Sequence, residues 1–256
     1  MRVALIQTNL FWNDVAANSR HLLLLGRDAI ARGADLIVLP EMCTTGFSFA
    51  SGELAYQAEV GASELLKSIA GIRENIYVAG SSPEASDGNY SQPYNSLKVF
   101  SSAGLIGEYR KIHLFSYGGE HKFYRSGNQT LVTELGDWRV GWFICYDLRF
   151  PQSFAKLANR VDLFVVVANW PASRRLHWRT LLQARAIENQ AYVVGVNRIG
   201  EGNGLVYSGD SLVVSPRGEI LLDMGEADAV DVCDLDLAEI ARYRAEFSCL
   251  TDRRDI

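Results

Sequence analysis

Five short apolar runs limit what this chain can fold into: DLIVL at 35–39, IYVAG at 76–80, WRVGWFI at 138–144, VDLFVVVAN at 161–169 and AYVVGVN at 191–197. Most are continuous rather than alternating, as in strands covered on both faces. Residues 2–8, RVALIQT, read as a strand before them, and 230–236 as a last one. Between the runs lie helical patterns. Asn13 or Asp14 can cap a helix carrying Leu22, Leu25 and Ala29, which Gly33 ends. Ser63 can cap another through Leu65, Leu66 and Ile69. Pro151 fits the first turn of a helix through QSFAKLA, since proline has no N–H to lose there. Residues 176–190 and LAEIARYRAEF complete the set. Two hairpins are added: SLKVF with LIGEYR across SSAG, and SGDSLVVS with EILLD across PRGE. SSPEASDGNYSQP reads as turns, and the Gly200, Gly202 and Gly204 stretch as a loop. Alternating strands and helices with antiparallel additions predict an α/β fold with a mixed sheet or sheets. No linker or repeat divides residues 1–256, which are expected to form one domain, with 246–256 a C-terminal tail that contacts a second subunit.

The net charge of −5 and the absence of any Lys/Arg run argue against a nucleic-acid partner or a polybasic membrane surface. No apolar run approaches the ~20 residues of a membrane helix, and MRVALIQTNLFWND has neither a long apolar region nor a cleavage site. The four cysteines, at 43, 145, 233 and 249, form neither a disulfide framework nor a zinc spacing. A free thiol of this kind suits a reducing cytoplasm.

Cys145 falls where the 138–144 strand hands over to a helix. A thiol on such a bend, close to backbone N–H groups and a helix N-terminus, is expected to have a depressed pKa; the alternative is an inert buried cysteine. Glu41 directly follows DLIVLP, and Lys111 follows the second hairpin strand. Each has a structural alternative, a cap or a solvated charge. Together they supply a base, a cation and a thiol at the carboxyl ends of strands, where ligands collect. Residues 112–130 form a long irregular segment of the kind usually found at functional sites.

LPE at 39–41, YRKIHLF at 109–115 and CYDLRFP at 145–151 resemble, in order, the motifs of the nitrilase-type carbon–nitrogen hydrolases. ANWP at 168–171, ARAIENQAYVVGVNRIG at 184–200 and YSGDS at 207–211 extend the resemblance over nearly the whole chain. LPEMCTTGF, GGEHKFY and ANWP make it most similar to the bacterial omega-amidases. The resemblance implies a four-layer α-β-β-α sandwich, two mixed sheets between helix layers, with at least a homodimer formed through the helix after Cys145 and the C-terminal segment. It places a catalytic triad on Glu41, Lys111 and Cys145, and a second glutamate on Glu120. It implies hydrolysis of a small ω-amido dicarboxylate such as 2-oxoglutaramate or 2-oxosuccinamate through a cysteine thioester, with no metal and no cofactor. Other carbon–nitrogen hydrolases, a carbamoylase or a nitrilase, are the alternatives within that chemistry. A Cys145–His177 protease and a silent scaffold lie outside it.

For the substrate, Tyr146 offers a backbone N–H to an oxyanion, Asn169 and Trp170 a pocket wall, and Arg174 or Arg175 a bidentate grip on a carboxylate. Tyr124 and Phe115 are candidates to cover the pocket. Arg149 is expected to pair with a buried acid and fix the bend. Arg185 and Glu188 are expected to pair along one helix, and His113 to orient its loop by hydrogen bonding. Cys43 stands where the related amidases carry a larger side chain, so a pocket lined by it would be wider.

Overall fold

The computed structural model describes residues 1–85 and 87–254. Ser86, within the segment read as turns, and the last two residues of the expected tail lie outside them. In chain order the elements are β1 (Arg2–Gln7), α1 (Val15–Ala31), β2 (Leu36–Val38), α2 (Gly52–Ala70), β3 (Tyr77–Glu84), β4 (Tyr94–Ser101), β5 (Gly104–Arg110), β6 (Leu131–Leu135) and β7 (Trp138–Ile144). There follow α3 (Pro151–Ala155), β8 (Leu163–Ala168), α4 (Arg175–Asn189), β9 (Tyr192–Asn197), β10 (Ile199–Gly202), β11 (Leu205–Ser208), β12 (Leu212–Val214), β13 (Ile220–Asp223), β14 (Ala229–Asp234) and α5 (Leu237–Glu246).

Two six-stranded mixed sheets result, ordered β14-β1-β2-β3-β4-β5 and β13-β12-β9-β8-β7-β6. Each has parallel central pairs, β1/β2/β3 and β7/β8/β9, flanked by antiparallel strands. The period-2 geometry of strands divides their side chains between two cores. Val3, Leu5, Leu36 and Val38 join a core shared with Val140, Trp142 and Val165 of the second sheet. Their neighbours Ala4, Ile6 and Ile37 face Leu22, Ala29, Leu65, Leu66 and Ile69 of α1 and α2. On the far side of the second sheet, Phe154, Trp178, Leu182 and Ala186 of α3 and α4 are buried. The layers are α-β-β-α, as the resemblance implies. At Gly195 in β9 an added Cβ would lie 2.5 Å from Leu182, so only glycine lets α4 approach this closely.

The structure corrects the sequence reading in four places. Helix α2 begins at Gly52, not at Ser63, because its buried stripe is built largely of alanines, Ala55, Ala58 and Ala62, which do not stand out as core. Strand β3 runs on through Pro83 to Glu84, in the stretch read as turns. Beyond Ala79 it has left β2 and pairs only with β4, so a proline there removes no ladder bond on the other side. Residues 131–135 form β6, an outer strand too polar to stand out. The glycine-rich stretch after Asn197 is a two-stranded ribbon, β10-β11. The chain after α5 lies back on the body: Leu250 is buried, and Arg253 donates to Ala155 O at 2.9 Å and to Asn189 Oδ1 at 2.9 Å.

Candidate active site

Glu41 lies just beyond β2, Lys111 just after β5 and Cys145 at the end of β7, so the sandwich brings three distant strand ends together. Glu41, Lys111 and Glu120 are fully buried. The Lys111 ammonium donates to Glu41 Oε1 at 3.0 Å and to Glu120 Oε1 and Oε2 at 3.0 and 2.9 Å. Burial opposes its charge, but Glu120 and Glu41 outweigh that and hold the ammonium well above the usual lysine range. Burial, only partly offset by Lys111, pushes the Glu120 carboxyl up. Glu41 is held by further donors: Asn95 Nδ2 to Oε1 at 2.8 Å and the Asn169 N–H to Oε2 at 2.8 Å. The Phe115 N–H donates to Glu120 Oε2 at 2.6 Å.

Cys145 has φ +46°, a left-handed conformation that a non-glycine residue seldom adopts without a structural demand. It begins a 3₁₀ turn over Cys145–Arg149, whose first N–H groups, including that of Tyr146, have no acceptor within the turn. The Glu41 carboxylate lies close enough to the thiol to act on its ionisation. The expected depression of its pKa is corrected. Burial first, and then the Glu41 carboxylate, push the thiol well above its ordinary value against the pull of Lys111. A five-residue turn has too little dipole to reverse this. The resting group is a thiol, which needs a base before it can attack, and Glu41 is the carboxylate that acts on it most strongly.

Cys145 opens on a cleft lined also by Phe47, Phe115, Tyr146, Trp170, Arg174 and Tyr207. Phe115, Tyr146, Asn169, Trp170 and Arg174 are thus all at the cleft, although Asn169 turns its amide inward, Nδ2 donating to Glu41 O at 2.6 Å. Arg174 lies over the Phe115 ring at 5.4 Å. Tyr124 is a correction. It is buried behind the site, with its hydroxyl donating toward Ser48 O and Ala50 O at 3.2 and 3.3 Å, and does not line the cleft. Arg175 pairs with Asp210 and Glu226 instead. Cys43 packs into the helix-side core, and burial pushes its thiol up to about 12, so it neither widens the cleft nor reacts readily.

Arg149 is a second correction. Its guanidinium lines the cleft over the Trp170 ring at 4.7 Å and lies 3.1 Å from His177 Nδ1, with no ion-pairing carboxylate among the described residues. The acid that fixes the bend is Asp147. It accepts from the Ile144 N–H at 3.1 Å, the Tyr109 hydroxyl at 2.7 Å and the His113 N–H at 2.9 Å, tying the Lys111 segment to the Cys145 turn. His113 orients its loop through this bond, and Arg185 meets Glu188 at 2.9 Å, both as expected.

Sequence reasoning missed Asn95, Asp147, Phe47 and Tyr207. Asp147, Phe47 and Tyr207 stand inside noted motifs, and that adjacency was the available signal. Asn95, in SQPYNS, looks like any turn asparagine.

Lys111→Met is expected to do two kinds of damage. If its ammonium serves as an oxyanion donor, the loss costs about 10²–10³ in kcat. Leaving two buried carboxylates without their cation costs about 3–5 kcal/mol of stability. Ammonia release and a denaturant melt read the two effects separately.

The carbon–nitrogen hydrolase family model matches residues 2–245. The chain is 40% identical to the omega-amidase YafV of Escherichia coli K12, covering 98% of this chain and 96% of that protein. It is 34% identical to the 2-oxoglutaramate amidase of Bacillus subtilis, covering 88% of each. Its fold matches that of XC1258 from Xanthomonas campestris, a CN-hydrolase superfamily protein with an arsenic adduct in its active site, with a TM-score of 0.91, 33% identity and coverage of 100% and 98%.

Proposed function

Since the chain belongs to the carbon–nitrogen hydrolase family, we propose that it hydrolyses the terminal amide of a small ω-amido dicarboxylate, such as 2-oxoglutaramate or 2-oxosuccinamate, to the carboxylate and ammonia. The observation that carries this is one buried carboxylate, Glu41, bonded to the Lys111 ammonium and acting on the Cys145 thiol at the base of a cleft that also holds two arginines. Glu41 takes the thiol proton as Sγ bonds to the amide carbon. Lys111 and the Tyr146 N–H receive the oxyanion. On collapse the C–N bond breaks, Glu41 returns the proton to the leaving nitrogen, and a thioester remains on Cys145. Water deprotonated by Glu41 adds to the thioester, and the C–S bond breaks to release acid and thiol. Glu120 holds the ammonium in place throughout. No step in this sequence draws on a metal or a cofactor.

Arg174 is assigned to the substrate carboxylate: of the two cleft arginines without a carboxylate partner among the described residues, Arg149 is engaged by His177 and the Trp170 ring, and Arg175 is engaged with Asp210. Arg174→Ala is expected to raise KM for carboxylated ω-amides by about 10–100-fold, the worth of a charge-assisted hydrogen bond, and to leave uncarboxylated amides of similar length unaffected. Ammonia release across a panel of short ω-amides with and without the terminal carboxylate tests both the substrate class and this residue. Equal kcat/KM with and without the carboxylate overturns the assignment.

No helix among the described residues is long and apolar enough to cross a membrane. A cytoplasmic homodimer is part of the proposal: four free thiols favour a reducing compartment, and α3 with the adjacent C-terminal segment offers the subunit contact. Light scattering showing monomer alone would refute the dimer.

A further inference from the structure

Asn95 bonds to both carboxylates of the site and to the backbone of its lysine. It is fully buried near the start of β4. Its Nδ2 donates to Glu41 Oε1 at 2.8 Å and reaches Glu120 Oε1 at 3.4 Å, while its backbone carbonyl accepts the Lys111 N–H at 2.9 Å. Its own Oδ1 has no hydrogen-bond partner. A buried acceptor left without a donor is destabilising, so packing and stability alone are a poor account of an asparagine here. Two carboxylates share one ammonium at this point. A neutral amide can satisfy an oxygen on each of them without adding charge.

We propose that Asn95 is the positioning residue that keeps Glu41 ready to accept the Cys145 proton, by donating to the carboxylate oxygen that Lys111 also binds and by anchoring the Lys111 backbone. This rests on Glu41 acting as the base. The other titratable groups facing Glu41 are Lys111 from the end of β5, Glu120 from its 3₁₀ turn, Cys145 after β7, and the more distant hydroxyls of Tyr124 and Tyr207. Of these only Lys111 is cationic, so the asparagine amide is the main neutral donor from a side chain. A carboxylate that loses such a donor holds its proton more tightly, and its base form then appears only at higher pH. Asn95→Ala removes the donor. Asn95→Asp, nearly the same size, removes it and adds a third carboxylate, so its effect should be larger in the same direction.

The test is the rate of Cys145 alkylation by iodoacetamide against pH, read by peptide mass on the full chain, for the wild type, Asn95→Ala and Asn95→Asp. The acid limb is expected to move up by about one to two pH units in Asn95→Ala and further in Asn95→Asp, with kcat/KM for amides at neutral pH falling in the same order. Asn95→Ser, with a hydroxyl too short to bridge both carboxylates, is expected to follow Asn95→Ala and serves if the buried aspartate prevents folding. An unmoved limb in any variant that melts cooperatively overturns the proposal, even if stability falls. Alkylation needs no amide substrate, so the expected shifts of the acid limb in a protein that hydrolyses no ω-amide would count against the substrate class and leave the role of Asn95 standing.

Discussion

Cys145→Ala should lose turnover of every ω-amide by about 10⁴–10⁶-fold, because removal of the nucleophile alone disables an acyl-transfer unit that works as a whole. The substitution removes one sulfur from the edge of a cleft and leaves Glu41, Lys111 and Glu120 with their mutual hydrogen bonds. Stability is therefore expected to hold within about 1 kcal/mol. Losing the thiol next to two carboxylates relieves no charge, since the resting sulfur is protonated: burial and Glu41 push its pKa well up. Ammonia release together with a thermal melt checks the two halves, and loss of activity without loss of stability is the expected pair. Turnover within tenfold of the wild type would mean that the chemistry lies elsewhere.

Glu41→Gln is the second large effect, about 10²–10⁴-fold in kcat. Glutamine has nearly the same shape, and its carbonyl can still accept from Lys111 and Asn95. It cannot take a proton, and a thiol held up by burial does not ionise unaided at neutral pH. The amide nitrogen would also face the Asn169 N–H that now donates to Oε2 at 2.8 Å, placing donor against donor. A modest loss of stability, about 1–3 kcal/mol, should accompany the loss of rate. In the proposed cycle Glu41 serves both acylation and the release of the thioester, so KM should change less than kcat. A variant that keeps its kcat but binds substrate weakly would instead assign Glu41 to binding.

The motifs of the candidate site stood out in the sequence more plainly than several elements of the fold around it. Glu41, Lys111 and Cys145 were identifiable because each follows a strand and stands in a motif of the resemblance, although the strands belong to two different sheets. Asp147 and Asn95 were not, because their importance lies in what they touch: Ile144, Tyr109 and His113 for one, Glu41, Glu120 and Lys111 for the other. Those partners lie 3 to 54 positions away, and residue type alone does not announce them. The sense of the Cys145 shift was misjudged for a similar reason. A bend and a helix start are local and visible, whereas burial beside two carboxylates is a property of the assembled sandwich. Among the elements, strands rich in branched and aromatic side chains such as β7, β8 and β9 stood out. The alanine-striped start of α2, the polar β6 and the β10-β11 ribbon did not, because their pattern is set by neighbours and not by strong propensity.

The most direct test of the whole account is a double-variant cycle on the two charged partners of the thiol. The kcat/KM of Glu41→Gln with Lys111→Met is compared with that of each single variant. Groups that act as one unit give far less than multiplicative losses, so the double variant is predicted to be about as slow as the slower single one. Losses that multiply in full would show that Glu41 and Lys111 work independently, and would contradict a shared acyl-transfer centre.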